Sequence, residues 1–347
     1  MDLIDKKKIN VFKKLIELMY ANNHGIENME EFDVKKLIIL FLKFWMPALF
    51  LEVIPIIGTV GYLYAATKEH LISEQLDSVT ILLAICIIGS IMSIGLMRAE
   101  KFNICMVKMS DHSFGTPPKW EKTSKIIDKL SSLLYYGTKY LQVLYMILMY
   151  FERPYCAGRG IRGDESPGLL NIIYLPIFAL YPAVVYGSVI LIVMKIRHLR
   201  RKLKKIARTS SQGYLHKGLW ICMKYHSSIV ELTSQVSNFL GNALFPFYVL
   251  MPIVTALFAY QTIETRKMVY AIAWTTWMTG MVAICLIGQH LETEASHIAY
   301  DVYGLPWYEM KPELRRIVQI FLARSSKPLC LHVEYVADLN NVLLLQV

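Results

Sequence analysis

Charge is scarce in this 347-residue chain: Asp, Glu, Lys and Arg supply 18% of it against 55% hydrophobic residues, too little to clothe the surface of a soluble protein. The bilayer is the better solvent for such a composition. Cysteine is sparse as well. Cys86, Cys105, Cys156, Cys222, Cys285 and Cys330 stand singly with no CxxC pair, which argues against a zinc site or a disulfide scaffold and leaves thiols that behave as small apolar side chains. No Asn-x-Ser/Thr sequon occurs, so glycosylation marks no outer face. The opening MDLIDKKKIN leads into no short apolar core with a small-residue cleavage site, so the first spanning helix is expected to direct insertion itself. Internal repeats of the transporter kind are also lacking.

What is present is a series of long apolar runs. A hydrocarbon core of about 30 Å needs about 20 apolar residues in helix. Six runs meet that need: approximately Leu37 to Tyr64, Leu76 to Met97, Ser132 to Phe151, Leu169 to Met194, Val236 to Tyr260 and Met268 to Gly288. A seventh candidate starts near Ile317 and is interrupted by ARSSKP. In the first span Lys43 is near enough to the inner end to snorkel. Glu52 is deeper, and a helix-to-helix hydrogen bond is its simplest role.

The formal charge of +10 would point to nucleic acid in a soluble protein. Here the basic residues fall between apolar runs, where they set orientation, and no nucleic-acid partner is expected. Lys6, Lys7, Lys8, Lys13, Lys14, Lys35 and Lys36 precede the first span; seven more lie between Arg98 and Lys129, and eight between Lys195 and Arg208. The alternate connections hold only Lys68, then Arg153, Arg159 and Arg162, then Arg266 and Lys267. The N-terminus and the second, fourth and sixth connections are therefore cytoplasmic. That orientation opposes the G-protein-coupled receptor arrangement. The run KIRHLRRKLKKIAR reads as the cytoplasmic extension of the fourth span; a calmodulin target or an anionic-lipid patch is the alternative.

Beyond the sixth span stands GQHLETEASHIAYDVYGLPWYEM. His290, Glu294 and His297 would share a helical face as metal ligands do, but the order is not that of HExxH and no Cys pair follows. A polar helix end packed on cytoplasmic helices is the simpler reading, with no metal, no cofactor and no catalytic group. The ordered set Gly288, Gln289, Glu294, Ala295, Tyr303, Trp307, Tyr308, Arg324, Ser325, Lys327, Pro328 and Leu329 resembles the C-terminal signature of the insect odorant receptor family. Upstream, YHSSIVELTSQVSNFLGNALFPF resembles that family's His-led entry to the fifth span.

The resemblance implies an all-α polytopic membrane protein of seven spans with a cytoplasmic N-terminus. It divides into a cytoplasmic segment (1–36), spans one to six with a ligand pocket in their outer half (37–289), and a cytoplasmic anchor segment leading into the seventh, pore-lining helix (290–347). Eighteen residues follow Leu329, which at about 1.5 Å each fall short of a core of about 30 Å, so the last helix is expected to be cut short and the gate incomplete. It further implies a ligand-binding subunit, not an enzyme, of an odorant-gated cation channel. The partners would be the odorant receptor co-receptor in a hetero-oligomer, a tetramer, and the site the plasma membrane of a sensory neuron dendrite. The signature residues would serve assembly. A multi-pass transporter or membrane enzyme is the alternative.

Small volatile ligands offer few hydrogen bonds and need a closed apolar, aromatic pocket. Candidate linings are Tyr145, Met146 and Tyr150; Tyr174, Phe178 and Tyr181; Phe247, Tyr248 and Met251; and Tyr270, Trp274 and Trp277. Each could instead be an interface-belt or helix-contact residue. The family's pocket lies among the second, third, fourth and sixth spans, which favours Tyr145, Tyr174, Phe178, Trp274 and Trp277.

Overall fold

The computed structural model describes residues 99–152, 166–208, 212–266, 268–333 and 337–346, with scattered helical positions between 76 and 91. The N-terminal segment, the first span with Lys43 and Glu52, and Cys156 lie outside the described residues. The order is α1 (Ala99–Met109), α2 (Trp120–Glu152), α3 (Ser166–Ala207), α4 (Gln212–Thr265), α5 (Met268–Tyr303), a 3-10 turn (Trp307–Glu309), α6 (Pro312–Ser325), β1 (His332–Val333), β2 (Ala337–Asp338) and α7 (Asn341–Gln346). Helices α2 to α5 carry the third to sixth spans.

These helices outrun the membrane. At about 1.5 Å per residue, the 42 residues of α3 reach about 63 Å and the 54 of α4 about 81 Å, two or more bilayer cores. The apolar runs alone placed the end of the sixth span at Gly288, yet α5 continues to Tyr303. The extra turns change their apolar pattern from all-round to one-sided. Along α5, Ile284, Leu291, Ala295, Ile298 and Val302 are buried at spacings of three, four and seven. The lower half of α3 does the same with Ile192, Ile196, Leu199, Leu203 and Ile206.

Among the described residues a packed core forms in this half, where α3, α4 and α5 meet and α6 closes one side. Helix α6 is the expected start of a seventh span, but only Leu314, Val318, Phe321 and Ser325 are buried, so it is an amphipathic member of the bundle. After Lys327 the chain is extended and then forms a two-stranded hairpin, with His332 opposite Asp338 and Val333 opposite Ala337. Helix resumes only at Asn341. The hairpin was not expected from the sequence. It gives an otherwise all-α chain its one strand pair among the described residues.

Within the described residues, two stretches are long and apolar enough to cross a membrane, in Leu244–Glu264 and within Tyr270–Glu309. There the usual burial rule inverts. Val249, Ile253, Ile263, Ile272 and Leu286 are exposed on the helix surfaces. Thr275, Thr276 and Thr279 are exposed too, and each hydroxyl donates to the carbonyl four residues back, leaving no free donor for lipid.

Candidate functional site

The signature residues after the sixth span do two kinds of work. Glu294, on α5, takes bonds from Arg197 Nη2 at 2.6 Å and Nε at 3.0 Å, and from Arg200 Nη1 at 3.1 Å. Arg200 Nε also donates to Asp301 at 2.6 Å, with Lys204 3.6 Å from the same carboxylate. The basic run on α3 is thus bolted to α5. Burial pushes the Glu294 carboxyl up, but the hydrogen bond and charge of Arg197, with Arg200 and His290, outweigh it and hold it below its usual value.

One turn earlier, Gly288 and Gln289 meet the C-terminal segment. A Cβ on Gly288 would overlap the Leu339 carbonyl oxygen, and one on Gly241 of α4 would overlap that of His332. Two glycines on two helices thus form a seat, and the hairpin backbone lies in it. Ser237, one turn before Gly241, accepts the His332 N–H at 2.8 Å, and Gln289 Oε1 accepts the Asn341 N–H at 3.3 Å. Leu331, Val333, Leu339 and Leu343 are buried beneath. Asn340 caps α7, its Oδ1 accepting the N–H of Val342 at 3.0 Å and of Leu343 at 3.2 Å. Ser237 and Gly241 were not singled out from the sequence; a glycine inside a helical run is the one signal that could have found the seat.

His226 of α4 is buried against the Phe321 ring, 5.5 Å between centroids. Its Nδ1 has no hydrogen-bond partner. Burial, then the Arg324 charge, pushes its pKa down to about 4. On the opposite flank the loop between α1 and α2 docks on α3. Lys195 donates to the Asp111 carbonyl at 2.7 Å and stands over the Trp120 ring. Lys202 donates to the Phe114 carbonyl, and Phe114 stacks on Tyr225 at 4.8 Å. Burial lowers the Lys195 pKa to about 8, opposed by the charge of Asp111.

Most of the remaining signature residues face outward. Tyr303, Trp307 and Tyr308 are exposed and touch one another, with ring centroids 6.5 and 6.1 Å apart. Tyr300 adds a further exposed ring. Arg324, Lys327 and Pro328 are exposed and Ser325 is buried.

Of the pocket candidates, Tyr145, Met146, Tyr150, Tyr174, Phe178 and Tyr181 lie on α2 and α3, and their side chains fall outside the described residues. The structure separates the two tryptophans of α5. Trp277 stacks on buried Phe247 of α4 at 6.2 Å, whereas Trp274 is 40% exposed on the outer surface. Below that pair, the Tyr248 hydroxyl lies 3.4 Å from Cys285 Sγ.

Long, oppositely running helices with lipid-type surfaces above and a packed bundle below define an all-α polytopic membrane protein. The 7tm Odorant receptor family profile matches residues 174–340. Putative odorant receptor 92a of Drosophila melanogaster is 21% identical over 118 residues, 33% of this chain and 28% of that protein. Odorant receptor 45a of the same fly is 23% identical over 108 residues, 30% of this chain and 29% of that protein. The aligned part thus spans under a third of these curated relatives. The solved olfactory receptor OR5 of Machilis hrabei shares the fold with TM-score 0.73, covering 96% of this chain and 93% of its own at 11% identity. Its complex with eugenol gives TM-score 0.70, 98% and 93% coverage and 10% identity. Residues 174–340 thus resemble the 7tm Odorant receptor family, and the chain shares the fold of a solved insect olfactory receptor.

Proposed function

We propose that the chain is the ligand-binding subunit of an odorant-gated cation channel, assembled with the odorant receptor co-receptor in the plasma membrane of a sensory dendrite. The observation that carries this reading is the fold shared along 98% of the chain with a receptor solved in complex with eugenol. The Phe247–Trp277 stack between α4 and α5 is the described feature best suited to such a ligand, because a flat ring pair recognises shape without hydrogen bonds. Tyr145, Tyr174 and Phe178 are proposed as its companions from α2 and α3. The exposed rings of Tyr300, Tyr303, Trp307 and Tyr308 are proposed as the contact with neighbouring subunits, since exposed aromatic clusters are the usual anchors of interfaces. The glycine seat would hold the start of the pore-lining segment, α7, against both α4 and α5.

Expression with the co-receptor, followed by current recording under a broad volatile panel, tests the reading. An odorant-evoked cation current is expected. Trp277→Ala should reorder ligand potencies by about tenfold with surface expression maintained, and Trp274→Ala should reorder them less. Absence of any evoked current from a correctly delivered complex would contradict it.

A further inference from the structure

The lysines of α2 differ from those of α3. On α3, Arg197, Arg200 and Lys204 are spent on Glu294 and Asp301, and Lys195 and Lys202 on backbone carbonyls. On α2, Lys122, Lys125 and Lys129 are exposed, and among the described residues none pairs with an acid. At about 100° per residue these three lie within about 60° of one another around the helix. Ile126 lies among the lysines, and the same face continues upward as Leu130, Leu133 and Tyr140; the four are exposed by 55, 48, 67 and 73%. Glu121 and Asp128, the acids of this stretch, lie at one edge of the face, about 100° and 120° from Lys122 and about 40° and 60° from Lys125. Gly137, on the same face, has nothing near where its side chain would be, so the row includes an open notch.

Height along the helix matters as much as angle. The third span begins near Ser132, so Leu133, Gly137 and Tyr140 stand at the level of the inner acyl chains and the lysines just below, at headgroup level. We infer that this face of α2 is a binding surface for an anionic glycerophospholipid of the inner leaflet, its headgroup phosphate held by Lys122, Lys125 and Lys129 and an acyl chain lying along Leu130, Leu133 and the Gly137 notch. The complementarity is double: unpaired cations where the phosphates are, and bare apolar side chains where the tails are. The inference needs only the membrane orientation, and stands or falls apart from odorant binding.

The test uses the full chain in phosphatidylcholine vesicles with spin-labelled phosphatidylserine, phosphatidylglycerol or phosphatidylcholine as probe. A lysine near an anionic leaflet contributes about a fivefold preference. Wild type should therefore favour both anionic lipids over phosphatidylcholine by about fivefold, if one lysine engages the phosphate, to about a hundredfold if all three do, and less in about 0.5 M NaCl. The triple change Lys122→Gln, Lys125→Gln, Lys129→Gln should abolish the preference, the corresponding Lys→Arg triple should keep it, and Lys217→Gln on α4 should leave it unchanged. Leu133→p-benzoylphenylalanine should photocrosslink to lipid. Equal binding of all three lipids by wild type, which requires no variant, overturns the inference. So does an unchanged preference in the Gln triple, or a crosslink from position 133 to a second polypeptide, which would make this face a subunit contact.

Discussion

The two ends of α5 show apolar residues exposed for opposite reasons. Toward its start, Met268 and Ile272 are among the most exposed apolar side chains, and the polar Thr275, Thr276 and Thr279 bond inward to their own backbone. Toward its end the apolar residues turn inward and Glu294 and Asp301 meet the cations of α3. One helix therefore passes through two solvents. In lipid, packing cannot draw on the hydrophobic effect; in the cytoplasm it can. Among the described residues, the glycine seat, the ion network and the buried histidine all lie at the cytoplasmic end.

That contrast can be broken most forcefully at the seat. Gly288→Ala places a methyl group on the Leu339 carbonyl and Gly241→Ala one on that of His332. Both sides of the contact are backbone, so neither can step aside. A cost of about 3 kcal/mol or more is expected for each, seen as lost surface expression and as faster amide exchange confined to the hairpin and α7. The same substitution at Gly280, which has nothing within reach of a Cβ, should be tolerated.

The second test is acid. His226 is neutral in the fold, with its pKa down at about 4, against an ordinary value of about 6.5. The unfolded chain takes up the proton first, so this contribution is complete above about pH 6.5 and declines as pH falls toward 4, by a total on the order of 3 kcal/mol. Thermal melts of the detergent-solubilised protein should show that slope, and His226→Phe should flatten it. The Glu294 carboxyl is held below its ordinary value. It keeps its contribution above about pH 4.3 and loses it only as pH falls further. Glu294→Gln should cost about 2 kcal/mol through the loss of Arg197 and one arm of Arg200, and a double-mutant cycle with Arg197→Gln should show the coupling.

The long spans were legible because an apolar run of about 20 residues has few other uses. The basic run after Met194 was read as a cytoplasmic extension of the fourth span, and α3 does continue through it to Ala207. Gly288, Gln289 and Glu294 drew attention as a motif, but their separate work was not readable, since it depends on Leu339, Asn341, Arg197 and Arg200, far away in sequence. The hairpin escaped altogether. Two strands of two residues each leave no alternation to detect, and CLHVEYVADLNNVLLLQV reads as helix unless the glycine seat is known. Trp274 and Trp277 looked alike as candidates because three residues on one helix share a side loosely. Only the position of Phe247 tells them apart.

The contrast between the two solvents rests most directly on a matched pair. Ile253 in α4 and Ile320 in α6 are 50% and 53% exposed, the same side chain with the same freedom. If one faces acyl chains and the other water, Ile253→Lys should cost about 3 kcal/mol in membrane integration and Ile320→Lys should fall within about 0.5 kcal/mol of wild type. Surface expression with thermal stability in nanodiscs reads both. The account predicts loss for the first and none for the second; equal tolerance of the two, or the reverse order, would contradict it.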